Sequence, residues 1–82
     1  MTSFNTISQW FDEGKSDGFE YMIVWSDSFD YTNYPRYYDS VEEAKWAEGN
    51  PEPMTRVMES YHLSGDKDMQ MSLPRSHALR GV

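Results

Sequence analysis

The spacing of hydrophobic and polar positions changes several times along the chain, and each change predicts a new element. The first pattern has four apolar residues at helical spacing: Phe4, Ile7, Trp10 and Phe11. Thr2 or Ser3 can cap this helix at its start. Gly14 and Gly18 bracket a short polar stretch, which indicates the end of the helix and a connection.

A continuous apolar run then predicts the central strand. The run Tyr21 to Trp25 favours a strand that is covered on both faces, within a segment of residues 19–26. A polar turn follows over residues 27–33. Pro35 has no backbone N–H to donate, so residues 34–38 are predicted to form an edge strand that pairs with the first strand.

The second helix has the clearest local signal. Ser40 and Glu43 stand at the spacing of a capping box, which predicts a helix that begins directly after Ser40. Val41, Ala44 and either Trp46 or Ala47 lie on the predicted inner side of this helix. Gly49 is the predicted C′ residue that ends it.

Residues 54–63 fit two patterns. Their apolar positions suit a helix that starts after Asn50, and they also suit a strand with Val57, Tyr61 and Leu63 on one face. We favour the strand, because a single hairpin makes a weak sheet.

Together the elements predict one α+β domain in the order α-β-β-α-β-α. It has a small sheet of two or three mainly antiparallel strands, packed by two or three short helices. Asp66 is expected to cap the last helix and Pro74 to end it, with residues 75–82 as a loosely ordered tail. Eighty-two residues leave no room for a second core, and the lack of cysteine excludes disulfides and thiolate metal sites.

Charge is distributed unevenly along the chain. Fourteen acidic residues oppose seven basic ones, and residues 12–48 hold ten of the acids with three of the bases. Such a field repels phosphate backbones and anionic membranes and attracts basic partners. We therefore expect neither direct nucleic-acid binding nor membrane association. The first residues have no signal-peptide pattern, which predicts a cytoplasmic protein.

Candidate chemistry is sparse. Asp27 and Asp30 lie in the turn, and Asp39 is expected to approach them if the hairpin closes, so the three carboxylates could bind Mg²⁺ or Ca²⁺. The turn lacks the Gly and the closing Glu of a calcium loop. His62 and His77 are too few for a zinc site, and there is no Gly-x-Ser-x-Gly motif or phosphate loop. We predict no metal, no cofactor and no enzymatic activity.

The hairpin and the second helix combine carboxylates with four aromatic residues: Phe29, Tyr31, Tyr34 and Tyr37. The residues predicted to bind a partner are Asp27, Asp30, Tyr31, Tyr34, Asp39, Glu42 and Glu43. Tyrosine is favoured at interface centres, and acidic rims speed association with cationic partners. The alternative interpretation is that half of the aromatic residues face the core and that the acids only confer solubility.

Two segments, MIVWSDSFDYTNYPRYY and MTRVMESYHLSGDKDMQ, resemble a family of short, uncharacterised proteins encoded by bacteriophages and prophages. The resemblance covers roughly residues 10–72. It rests on an apolar strand, a D-x-F-D-Y-x-x-Y-P turn and an R-V-M-E-x-Y-x-L segment, and after Ser72 the sequence departs from the pattern. It implies no catalytic chemistry. It does imply a phage origin, and small acidic phage proteins often occupy the nucleic-acid groove of a host complex.

The leading hypothesis is a non-enzymatic binding protein that inhibits or modulates a basic, nucleic-acid-handling host protein or nucleoprotein complex. Its most specific form is an anti-CRISPR or other anti-defence protein that mimics nucleic acid, as a monomer or weak homodimer in the host cytoplasm. One alternative is a structural or assembly module that oligomerises through the edge strand Tyr34 to Tyr38. The other is a small metal-binding or enzymatic protein that uses Asp27, Asp30 and His62.

Overall fold

Three helices and one sheet form the part of the chain that the computed structural model describes, residues 3–72. Their bounds are α1 (Phe4–Ser16), β1 (Tyr21–Asp27), β2 (Asn33–Tyr38), α2 (Val41–Gly49), β3 (Thr55–His62) and α3 (Lys67–Ser72). The α+β class and the order α-β-β-α-β-α are confirmed. The predicted tail, residues 75–82, and the predicted helix end at Pro74 lie outside the described residues. Among residues 3–72, none of the helices is long and apolar enough to cross a bilayer.

The sheet is antiparallel and has the strand order β2-β1-β3. Tyr21, at the start of β1, lies between Tyr38 on one side and His62 on the other. The edge position of β2, predicted from Pro35, is confirmed, and so is the strand interpretation of residues 54–63. Whether the edge of β2 pairs with a second copy of the chain stays a prediction.

The central strand β1 is buried on both faces, as the apolar run predicts. Met22 and Val24 face α1 and pack in one cluster with Ile7, Phe11, Tyr61 and Leu63. Ile23 and Trp25 face α2 and pack against Ala44, with Tyr34, Tyr38, Ala47 and Val57 around them. Alternate residues of one strand therefore build two cores, and the second of these lies under the site described below.

A bulge in β3 changes which residues share a face. The register shifts between Val24, which lies opposite Glu59, and Trp25, which lies opposite Val57, so Met58 is an extra residue on β3. Val57 therefore packs on the α2 side, although Tyr61 and Leu63 pack on the α1 side. The prediction that these three residues share one face is wrong, because the bulge interrupts the alternation of β3.

Helix α1 is longer than predicted. The Ser3 hydroxyl caps it by accepting a hydrogen bond from the Thr6 N–H at 3.3 Å. The helix then continues through Gly14 to Ser16, and Gly14 is buried inside it rather than at its end. A side chain at this position would meet Tyr37 and Leu63. The glycine is therefore explained by close packing, and it does not end the helix.

The predicted capping box of α2 is confirmed at its start. The Ser40 hydroxyl accepts from the Glu43 N–H at 3.2 Å, and the Glu43 carboxylate accepts from the Asp39 N–H at 3.1 Å. The C′ role predicted for Gly49 is wrong. Gly49 is the last helical residue and has no positive φ, and Asn50 follows it as the C-cap.

Helix α3 fixes the end of β3. The Asp66 carboxylate caps α3 by accepting from the Met69 N–H at 3.0 Å, as predicted. Gln70 is buried; its side-chain oxygen accepts from the His62 N–H at 2.7 Å, and its nitrogen donates to the His62 carbonyl at 2.8 Å. Gln70 thereby satisfies backbone groups at the end of this edge strand.

Candidate partner-binding site

Of the seven residues predicted to bind a partner, three lie at one end of β2, Tyr34 lies on β2 itself, and Asp39, Glu42 and Glu43 follow its other end. Asp27, Asp30 and Tyr31 lie at the tip of the β1–β2 hairpin, because Ser26 pairs with Asn33 there. The other end of β2 leads through Asp39 into α2. Five residue steps of about 3.3 Å put the two ends of β2 about 17 Å apart. The expectation that Asp39 approaches Asp27 and Asp30 is therefore wrong.

The two tip aspartates hold the backbone of the turn. Asp27 accepts a hydrogen bond from the Phe29 N–H at 2.8 Å. Asp30 accepts from the Thr32 hydroxyl at 2.7 Å and from the Thr32 N–H at 3.1 Å. These hydrogen bonds from Thr32 hold the pKa of Asp30 below its ordinary value of 3.8. Both carboxylates thus have a structural role besides their charge.

Three large apolar side chains project from the same tip. Phe29, Tyr31 and Met54 are 76%, 86% and 56% exposed. Tyr31 and Met54 both have a positive φ, 60° and 64°, a region that residues other than glycine rarely adopt. Ser28 joins the two loops, since its N–H and its hydroxyl both donate to the Met54 carbonyl, at 2.8 and 2.9 Å. The tip therefore presents its aromatic residues on a fixed backbone.

A cleft of about 610 Å³ lies between β2 and α2. Its floor is formed by Trp25, which is 4% exposed, and by Tyr38. The indole N–H of Trp25 donates to the Tyr38 hydroxyl at 3.1 Å. Burial raises the pKa of Tyr38 above its ordinary value. Trp46 of α2 is 68% exposed and forms a wall, so the cleft is aromatic and its floor is fixed.

The rim of the cleft is mostly acidic. Glu42, Glu43 and Glu52 line it, together with one basic residue, Arg36. The Arg36 guanidinium lies 5.9 Å from the centre of the Tyr34 ring and 4.0 Å from the Glu52 carboxylate. The cleft therefore already holds a guanidinium group between an aromatic face and a carboxylate.

Tyr37 does not belong to this surface. Its side chain lies on the α1 side of the sheet, where its hydroxyl donates to the Trp10 carbonyl at 2.9 Å. Its ring stacks on Phe19 at a centroid distance of 5.4 Å. Burial raises the pKa of Tyr37. For this tyrosine the alternative interpretation, that half of the aromatic residues face the core, is the correct one.

Of the residues that line the cleft, the sequence predicts only Tyr34, Glu42 and Glu43 as site residues. Among those that it misses, Trp46 and Arg36 carry a sequence signal. Trp46 stands three and four residues after Glu43 and Glu42, a helical spacing that places an aromatic side chain beside both carboxylates. That spacing could have indicated Trp46. Arg36 alternates with Tyr34 and Tyr38 along β2, so the period of a strand assigns it to the same face.

The structure also brings a serine to a histidine. The Ser64 hydroxyl lies 2.7 Å from His62 Nε2, and the His62 ring stacks on Tyr21 at 4.8 Å. A hydrogen bond across a turn accounts for this contact. Within residues 3–72, there is no group of three or more histidine, aspartate or glutamate side chains that could hold a metal ion.

Comparison of the chain with protein-family models, with curated proteins and with solved structures found no significant match. The resemblance to a bacteriophage family therefore stays a prediction. The geometry of the site is what bears on function.

Proposed function

We propose that this chain is a non-enzymatic acidic binding protein that acts on a basic, nucleic-acid-handling host protein by covering its cationic surface. The observation that carries the proposal is the face formed by β2 and α2. There the exposed carboxylates of Glu42 and Glu43 flank an aromatic cleft that has a fixed floor. Carboxylates beside exposed aromatic rings favour a cationic protein surface and disfavour a phosphate backbone.

The distribution of exposed charge supports the same function. Of the ten acids in residues 12–48, eight are exposed: Asp12, Glu13, Asp17, Glu20, Asp30, Asp39, Glu42 and Glu43. Glu48 is half-buried and accepts a hydrogen bond from the Ser60 hydroxyl, so it contributes to structure. A field of this sign raises the rate of association with a basic partner and weakens as salt is added.

The hairpin tip supplies apolar contacts that charge alone lacks. Phe29 and Tyr31 stand beside Asp27 and Asp30, and rigid aromatic anchors dominate the affinity of most protein interfaces. We therefore assign both the tip and the cleft to the partner-binding surface. Inhibition of a host defence complex, of the anti-CRISPR or anti-restriction kind, is the form of this function that the phage resemblance favours.

The test uses substitutions that remove charge and keep hydrogen-bond acceptors. Asp30→Asn keeps the bonds from Thr32, and Glu43→Gln keeps the capping box. With Glu42→Gln they form a triple variant of the proposed surface. The control triple variant, Glu13→Gln, Asp17→Asn and Glu20→Gln, removes the same number of charges from α1 and its connection to β1.

Each protein is immobilised and exposed to a bacterial lysate, and bound proteins are eluted with double-stranded DNA. We expect wild type and the control variant to retain a basic protein that DNA releases, and the surface variant to retain much less of it. Retention of no basic protein would contradict the proposal. So would a retained protein that DNA does not release, or equal retention by both triple variants.

A further inference from the structure

We infer that the cleft between β2 and α2 is a receptor for a single arginine side chain of the partner. This inference rests on the proposed function, of which it names one contact. It concerns the α2 wall of the cleft, formed by Trp46, Glu42 and Glu43, opposite the β2 wall that carries Arg36.

The α2 wall of the cleft carries both kinds of group that bind a guanidinium. A guanidinium is planar, stacks on aromatic faces and pairs with carboxylates, and Trp46 with Glu42 and Glu43 supplies both kinds of partner. The Glu42 carboxylate has no hydrogen bond or ion pair with any residue of the described range 3–72. The Glu43 carboxylate accepts from the Asp39 N–H through Oε2. Both rim acids are exposed and within reach of an incoming cation.

The cleft already contains a guanidinium group of the chain itself. Arg36 places its guanidinium over Tyr34 and near Glu52, an arrangement of one aromatic ring and one carboxylate. The opposite wall repeats the arrangement with Trp46 in place of Tyr34 and with Glu42 and Glu43 in place of Glu52. The rim carries three carboxylates and one guanidinium, so a second cation completes the charge balance better than a neutral or anionic group.

The size of the cleft and its fixed floor also suit a bound side chain. The volume of about 610 Å³ falls within the range of roughly 300–1,000 Å³ that is typical of small-ligand sites. The Trp25–Tyr38 hydrogen bond fixes the floor, so the site loses little conformational freedom when it is filled.

The test needs no partner protein. Arginine blocked at both ends, as the N-acetyl N-methylamide, is titrated into the full chain, and the indole N–H signals are followed by NMR. The blocked citrulline analogue has the same shape without the charge, and blocked lysine has the charge without the plane. Trp10, on the α1 side, serves as an internal reference for the signals of Trp25 and Trp46.

We expect arginine to shift the signals of Trp46 and Trp25 and to leave that of Trp10 unchanged. Arginine should bind about five- to tenfold more tightly than citrulline, because the charge contributes through the rings and the carboxylates. Lysine should bind more weakly than arginine. The inference is overturned if no shift of Trp46 occurs, or if citrulline or lysine binds as tightly as arginine.

Matched variants locate the site. Glu42→Gln with Glu43→Gln should weaken arginine binding about fivefold, whereas Glu13→Gln with Asp17→Asn, which removes the same charge from α1, should leave it unchanged. Trp46→Ala should abolish the shift of the Trp25 signal, and Trp46→Phe should keep part of it. An unchanged Trp10 signal in each variant shows that the fold is retained. Equal effects of the two charge pairs would also overturn the inference.

Failure here would leave the capture of a basic protein through the tip and the other acids untouched, so the two proposals fail separately.

Discussion

Gly14→Ala is predicted to destabilise the domain, although alanine is the better helix former. Gly14 is buried inside α1. At an exposed position in a helix interior, alanine in place of glycine stabilises the protein by about 1 kcal/mol. The added Cβ would lie 2.5 Å from Tyr37 Cδ1 and 2.9 Å from Leu63 Cδ1. Both distances are far below ordinary van der Waals contact, so either the helix or the tyrosine ring must move.

The Tyr37 ring has little freedom to move away. It stacks on Phe19 and donates a hydrogen bond to the Trp10 carbonyl at 2.9 Å. Overpacking of this kind costs about 1–3 kcal/mol, and loss of the hydrogen bond adds about 1 kcal/mol. The cost exceeds the gain in helix propensity. We expect a net loss of about 1–3 kcal/mol, which lowers Tm by about 4–8 °C for each kcal/mol.

The matched control is Gly49→Ala. Gly49 is also helical, and a Cβ there has no atom within 4 Å in the described structure, so Tm should stay equal or rise. Thermal unfolding of both variants, followed by circular dichroism, tests the argument. In a Tyr37→Ala background, Gly14→Ala should cost much less stability, because the ring is gone and only the end of the flexible Leu63 side chain has to move. A Gly14→Ala protein at least as stable as wild type would refute the packing argument.

Two further predictions concern protonation. Thr32→Val should raise the pKa of Asp30 toward its ordinary value, because the hydrogen bond from the hydroxyl is lost, and Thr32→Ser should leave the pKa low. The stability that Asp30 contributes is present above pH 3.8 and is lost as pH falls through the lowered pKa. An NMR titration of the carboxyl group in both variants checks the pKa. Burial raises the pKa values of Tyr37 and Tyr38 above 10.0, so the stability that they contribute is present below pH 10 and is lost as pH rises through the raised values. Tm should fall above pH 10 in wild type and fall less in Tyr37→Phe, and an equal fall in both proteins would contradict the assignment.

Local sequence signals predict the elements of this fold well, and non-local packing explains where they fail. Ser3, Ser40 and Asp66 cap their helices as predicted, because a cap depends on residues within one turn. Gly14 and Gly49 look like helix ends in the sequence. A glycine is instead required at position 14 because the Tyr37 ring of β2 packs against it, a contact that helical spacing cannot reveal.

The candidate site was predictable in its composition but not in its shape. Tyr34, Glu42 and Glu43 line the cleft, whereas Asp27, Asp30 and Tyr31 lie at the hairpin tip. The cleft itself depends on Trp25 facing α2 with Val57 opposite it, and that pairing requires the extra residue Met58. No local motif marks this bulge. Glu59 is likewise buried and accepts from the Tyr61 hydroxyl, which its acidic character does not suggest.

The aromatic residues, rather than the acids, are expected to decide which partner this chain recognises. An exposed ion pair contributes about 0–1 kcal/mol and is screened by salt, so the exposed carboxylates mainly set the rate of association. An aromatic anchor at the centre of an interface can contribute about 2 kcal/mol or more. Phe29, Tyr31 and Trp46 are the large exposed aromatic residues beside the predicted acids, and they lie in two places, the tip and the cleft. A partner of the proposed kind that engages both must therefore present complementary groups at two separate places on its surface, a requirement that an extended nucleic-acid-binding surface meets and a single small cation does not.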